Sequence, residues 1–164
     1  MKISTKRGDA GQTSVFGAKQ VAKSHSLIEL VGEIDELQAT IGLLKTKINK
    51  KADRQFLTAL QKQIYKIMAE VAGSKALPKL TITEWVREIE KTQEKKGRGV
   101  NIKNAFVIPG NSESEALAHL VRVKVRSVER VICQNIKEYS WLEKFIPYFN
   151  RLSDYFFVFS QVLK

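Results

Sequence analysis

The sequence predicts an all-α bundle, one domain of four long helices and a shorter one. Three observations carry that expectation. From Leu27 the apolar residues recur at Leu27, Leu30, Ile34, Leu37, Ile41, Leu44 and Ile48, in steps of three and four that lay one apolar stripe along a helix. Ser26/Glu29, Thr81/Glu84 and Ser112/Glu115 have the spacing of capping boxes, each just ahead of an apolar-periodic run. No two alternating segments are joined by a hairpin turn, so no paired strands are expected.

The elements follow in order. Residues 1–24 read as a flexible basic loop and 25–164 as the helical part. The first helix opens at Ser26. A second carries Leu57, Leu60, Ile64, Ile67 and Val71 on one face, with Gly73 as its stop. Ala76 to Lys79 is a linker around Pro78. The third, shorter helix starts at Thr81, buries Ile82, Trp85, Val86 and Ile89, and gives way to a polar connection from Glu94 to Gly99. Phe106-Val107-Ile108 is a short extended run closed by the turn Pro109-Gly110. Ser112 opens a helix to about residue 138, with Leu117, Val121, Val125, Val128 and Ile132 as its stripe. The last helix has Pro147 near its start and buries Leu152, Phe156, Phe159 and Leu163.

The chain of 164 residues is 43% hydrophobic and 27% charged, a globular balance able to bury a core. No apolar run approaches the roughly 18 residues of a membrane span, and no secretory signal is visible. One cysteine, Cys133, excludes an internal disulfide framework and suits a reducing cytoplasm. Among apolar helix positions it reads as a buried thiol. The net charge of +11 favours anionic partners such as nucleotide phosphates, nucleic acid or anionic lipid. No zinc-finger, RNP or helix-turn-helix pattern accompanies it.

Some residues do not fit a plain bundle. Thr5-Lys6-Arg7-Gly8-Asp9-Ala10-Gly11-Gln12-Thr13-Ser14 combines glycines, hydroxyls and cations, a composition that suits a polyphosphate or else simply a solvated terminus. Arg122, Arg126 and Arg130 share one helix face, with Glu129 between them. They read as a charged solvent stripe or as an anion site. Asn150, Asp154 and Phe157 share a face of the last helix, and Asp35 lies at the buried edge of the first. Glu115 and His119 are an unrepeated pair, so no protein metal site is expected. No nucleophile has an evident histidine partner, and the P-loop pattern is absent.

Taken in order, Thr5-x-x-Gly8-Asp9-x-Gly11-x-Thr13, Gly32-Glu33-Ile34-Asp35-Glu36-Leu37, Phe106-Val107-Ile108-Pro109-Gly110, Arg122-x3-Arg126-x2-Glu129-Arg130 and Tyr148-Phe149-Asn150-Arg151-Leu152-Ser153-Asp154 resemble the PduO-type ATP:cob(I)alamin adenosyltransferases over nearly the whole chain. The chain departs from the family pattern at Arg7, Gln38 and Asn111, which bears on nucleotide affinity and loop shape. The resemblance implies a homotrimer of five-helix bundles, with ferritin-like up-down packing and active sites between subunits. It implies transfer of the 5′-deoxyadenosyl group of ATP, with Mg²⁺, to the cobalt of a reduced corrinoid such as cobalamin, releasing triphosphate. A flavoprotein reductase is an implied partner; nucleic acid and membranes are not.

The resemblance also carries roles to residues. ATP contacts fall on Thr5, Lys6, Gly8, Asp9, Gly11, Thr13, Ser14, Lys23, Arg126, Glu129, Arg130 and Asn150. Catalysis falls on Arg126, Arg122 and Asp35, the last two paired across the subunit interface. Phe106 and Phe157 face the corrin, Phe157 having core packing as its other reading. Two other function classes remain open: a non-catalytic corrinoid or nucleotide carrier, and a basic helical module for nucleic acid.

Overall fold

The computed structural model describes residues 6, 8–14, 20–100 and 107–163. Five helices dominate it: α1 (Ser26–Thr46), α2 (Lys51–Val71), α3 (Lys79–Gly97), α4 (Glu113–Asn135) and α5 (Ile146–Val162). A 3₁₀ turn over Ser140–Phe145 leads into α5. Cross-helix pairs give the directions. Lys47 meets Glu113, Asp53 meets Lys96 and Glu129 meets Asn150, so α1/α4, α2/α3 and α4/α5 run antiparallel. Successive helices alternate up and down, with the α4–α5 and α1–α4 interfaces the most extensive.

The core is the stripe set read from the sequence. Leu30, Ile34, Leu37, Ile41, Leu44 and Ile48 are buried, as are Leu57, Leu60, Ile64 and Ile67 of α2. α5 contributes an aromatic wall of Tyr148, Phe149, Tyr155, Phe156 and Phe159, all fully buried. Tyr155 packs tilted against Phe56 with ring centroids 5.1 Å apart and stacks on Phe159 at 5.6 Å. Such pairs add about 0.5–1.5 kcal/mol each beyond the area they bury.

Polar ties sit at the edge of this core. Asp53 and Lys96 pair at 2.7 Å, and Lys96 also lies over the Phe159 ring. The Glu70 carboxylate accepts from Lys144 at 2.6 Å and from the Leu77 amide at 2.8 Å, closing the loop before α3. Between α1 and α2 two amide side chains cross. Gln38 Nε2 donates to the Gln61 carbonyl at 2.7 Å, and Gln61 Nε2 donates to the Gln38 carbonyl at 3.1 Å. Lys45 Nζ donates to Gln61 Oε1 at 2.6 Å.

Several expectations are corrected. A short antiparallel ladder pairs β1 (Gln12–Ser14) with β2 (Gln20–Ala22), where no paired strands were expected. Its residues are mostly polar and exposed, so no alternation marks them. The cap of α1 is His25, whose Nδ1 accepts from the Leu27 amide at 3.2 Å, in place of a Ser26/Glu29 box. α3 starts at Lys79 behind Pro78, ahead of Thr81, because Pro78 presets an entry that needs no side-chain cap. It continues through Gly97 instead of dissolving at Glu94, making it nearly as long as α1 and α2. Cys133 is exposed on α4 rather than buried. The Ser112/Glu115 cap does form, with Ser112 Oγ accepting from the Glu115 amide at 3.1 Å. Gly73 ends α2 with φ +94, and the Ser74 amide reaches back to the Ala69 carbonyl at 2.9 Å.

Candidate functional site

α4 and α5 lie antiparallel, so the arginine row of one runs beside the Asn150–Asp154–Phe157 face of the other. Between them opens a cavity of about 340 Å³ lined by Arg122, Arg126, Ser153, Asp154, Phe157 and Val158, with Gln93 of α3 at its edge. One wall is cationic and the other carries an aromatic ring. Among the described residues Asp154 is the cavity's only carboxylate, and it is bound to Arg151 at 2.6 Å. The two site guanidiniums are therefore not neutralised there. Burial, and secondarily the charge of Arg126, push the Arg122 guanidinium below its ordinary value. Arg126 is exposed and makes no ion pair among the described residues. An anion in the cavity would relieve this like-charge proximity.

The rest of the row extends along the same groove. Asn150 Nδ2 donates to Glu129 Oε1 at 3.3 Å, joining the two helices beyond the cavity. Arg130 is exposed and donates to Ser127 Oγ at 2.9 Å. Phe157 is half-buried, its ring edge-on to His119 at 6.4 Å, so it belongs both to the packing and to the cavity wall.

The amino-terminal residues form a second cluster. The Gly11 amide donates to the Gly8 carbonyl at 3.2 Å, and the Lys23 amide donates to the Gly11 carbonyl at 2.9 Å. A Cβ on Gly8 would stand 3.1 Å from Lys23 Nζ, so the glycine admits the lysine head against the turn. Lys6, Gly8, Asp9, Gly11, Thr13, Ser14 and Lys23 thus share one hairpin. Among the described residues no helix packs extensively on it.

Asp35 is exposed on α1, away from the buried edge where the sequence placed it, because its neighbours Ile34 and Leu37 take the core positions. Within the chain it forms no ion pair with Arg122 among the described residues; the expected pairing joins two subunits. Thr5 and Phe106 lie outside the described residues. The cavity also includes Gln93, Ser153 and Val158, which sequence reasoning did not single out. Ser153 stood inside a quoted motif, but Gln93 carries no local signal, since only the α3–α5 packing brings it near. Among the described residues no group of three His, Cys, Asp or Glu side chains could hold a metal ion. Among the same residues no helix is long and apolar enough to cross a membrane.

A family model described as cobalamin adenosyltransferase matches residues 3–163. The corrinoid adenosyltransferase PduO of Salmonella typhimurium is 30% identical over 158 residues, covering 94% of this chain and 47% of that protein. The corrinoid adenosyltransferase of Bacillus subtilis is 32% identical over 169 residues, covering 99% of this chain and 86% of that one. A solved variant of the PduO-type ATP:corrinoid adenosyltransferase from Lactobacillus reuteri, complexed with cobalamin and ATP, is similar at a TM-score of 0.87 and 27% identity, covering 99% of this chain and 93% of that chain. The chain spans about half the length of the PduO proteins of Salmonella typhimurium and Citrobacter freundii.

Proposed function

We propose, because this chain belongs to the cobalamin adenosyltransferase family, that it transfers the 5′-deoxyadenosyl group of ATP to the cobalt of a reduced corrinoid. The observation that carries the reading is the α4–α5 cavity, with unneutralised guanidiniums on one side and an aromatic ring on the other. In the reaction an electron pair of cobalt(I) forms the bond to C5′. The C5′–O bond breaks, and its pair leaves with triphosphate. The nucleophile belongs to the corrinoid substrate, so no activated serine or cysteine is needed. The protein's share is orientation, charge stabilisation and exclusion of water.

The residue roles follow from that division. Arg126 meets phosphate oxygens and stabilises the charge that develops on the leaving group, and Arg122, beside it on the cavity wall, is held by its partners. The hairpin residues Lys6, Gly8, Asp9, Gly11, Thr13, Ser14 and Lys23, with Thr5, wrap the nucleotide by backbone amides and cations. Glu129, Arg130 and Asn150 complete its contacts. Mg²⁺ would travel with the triphosphate and supply further positive charge to the leaving group. Phe157, and Phe106 by its match to the family motif, form the apolar face against the corrin.

We further propose a homotrimer in which the hairpin of one subunit meets the arginine face of the next and Asp35 pairs with the neighbour's Arg122. A hairpin on which no helix packs extensively, and a helix carboxylate without an ion pair, both among the described residues, support this arrangement. A flavoprotein reductase supplies the electron that makes cobalt(I). The single cysteine suits the cytoplasm, the compartment we assign.

The test is anaerobic. Protein, ATP and chemically reduced cobalamin are mixed and the visible spectrum followed, and a carbon–cobalt bond should form stoichiometrically within one turnover. Binding of both substrates without that bond would leave a carrier. Steeply salt-dependent binding of DNA or RNA that ATP does not weaken would favour a nucleic-acid module instead.

A further inference from the structure

Glu115, His119, Arg122 and Arg126 occupy one face of α4 at successive turns, from the capped end toward the cavity. Glu115 is fully buried. A buried carboxylate needs hydrogen bonds, and one oxygen of this one accepts two. Its Oε2 accepts from the Gly110 amide at 2.7 Å and the Asn111 amide at 3.2 Å, and its Oε1 stands 3.2 Å from His119 Nε2. On the other side of the imidazole, Arg122 Nε lies 3.4 Å from His119 Nδ1. A guanidinium nitrogen can only donate. Nδ1 must therefore accept, which places the ring proton on Nε2, the nitrogen on the Glu115 side. Arg122 donates to His119, His119 Nε2 lies at ion-pair distance from Glu115 without the alignment of a hydrogen bond, and the turn amides donate to the same carboxylate from the far side.

We propose that Glu115 and His119 are positioning residues that couple the Pro109–Asn111 turn to the Arg122 guanidinium. His119 fixes the direction of Arg122 Nε–H, which leaves the guanidinium's terminal nitrogens to face the cavity. Its ring also meets Phe157 edge-on, so one side chain registers both walls of the cavity. Glu115 holds the turn through two backbone amides and stands 3.2 Å from the imidazole. Ser112, which caps the same helix, donates to the Leu163 carbonyl at 2.7 Å and ties this end to the end of α5. The inference rests on the assignment of Arg122 to the reaction site.

Two substitutions separate the ring nitrogens. His119→Asn keeps an acceptor where Nδ1 stood and loses the Nε2 contact with Glu115. His119→Gln keeps a donor where Nε2 stood and loses the acceptor for Arg122. His119→Asn should retain kcat within about threefold, whereas His119→Gln should lose roughly 10- to 100-fold in kcat with a smaller change in KM for ATP. Equal losses in both would overturn the proposal. A second readout needs no activity. The chain has two histidines, so long-range ¹H–¹⁵N spectra contain two imidazoles, and the set that vanishes in His119→Asn belongs to His119. At neutral to mildly alkaline pH that ring should be the neutral Nε2–H tautomer, and an Nδ1–H tautomer would sink the relay. If the unaltered protein forms no carbon–cobalt bond, the proposed function fails, while the tautomer still decides whether the relay exists.

Discussion

Replacing Arg126 by alanine should abolish transfer while leaving the fold intact, and both halves of that expectation can be sized. Arg126 is exposed and makes no ion pair among the described residues, so its loss removes no tie within the chain. Surface changes of that kind stay within about ±0.5 kcal/mol, which for a chain of this length is roughly 1–2 °C in Tm. Its position in the cavity wall sets the other half. Loss of one preorganised donor to charge that develops in the transition state costs about 3–4 kcal/mol, or roughly 10²–10³ in rate. Single-turnover mixing of protein, ATP and excess cobalt(I) corrinoid isolates that step from reduction. Arg126→Lys should fall between, since it keeps the charge but not the planar fork. A loss under about threefold with Tm unchanged would remove Arg126 from the machinery, because one donor to developing charge is worth far more than that. A fall in Tm as large as the fall in rate would make it a structural residue.

The remaining expectations concern the interface, the core and pH. Asp35→Asn and Arg122→Ala should be strongly non-additive in a double-mutant cycle on transfer rate, because each orients the other; additive losses would refute the pairing. Asp53→Ala strands the Lys96 ammonium, whose side chain is 12% exposed, beside the aromatic wall. It should cost about 3 kcal/mol, the low end for a broken buried pair, read by urea denaturation. Burial, and then the charges of Glu88 and Asp53, hold the Tyr148 and Tyr155 hydroxyls well above their ordinary 10.0. Below that value folded and unfolded tyrosines are both protonated and contribute nothing to a pH dependence. Above it the unfolded chain loses protons that the folded chain keeps, so stability should fall as pH rises past about 10, and Tyr148→Phe should flatten the fall.

What could be read from the sequence divides by physical range. The helices were legible because their apolar stripes repeat locally, and the Ser112 cap because both partners lie within one turn. Cys133 was misread, since helical periodicity locates a stripe but not the width of the covered face. The hairpin escaped because its ladder rests on backbone bonds between exposed polar residues, which leave no side-chain pattern. His25 was missed as a cap because a ring nitrogen replaced the usual hydroxyl. At the site, the arginine row announced itself by spacing, but its alignment with Phe157 and Asp154 depends on how far α4 slides along α5. Gln93 arrives from a third helix, a placement no local pattern encodes.

The crossed amides of Gln38 and Gln61 act as a vernier between α1 and α2. Apolar stripes in steps of three and four look nearly alike after a slip of one turn, about 5.4 Å. Leucines and isoleucines alone would tolerate that slip with modest loss. The reciprocal amides and the Lys45 contact to Gln61 cannot be remade one turn away, so a slipped pairing forfeits about 2–3 kcal/mol. That separation holds misaligned bundles to roughly one part in thirty to one in a hundred and fifty. Asp35 lies three residues before Gln38, so the height of this carboxylate on α1, where we propose that a neighbouring subunit meets it, is set inside its own chain by two carboxamides.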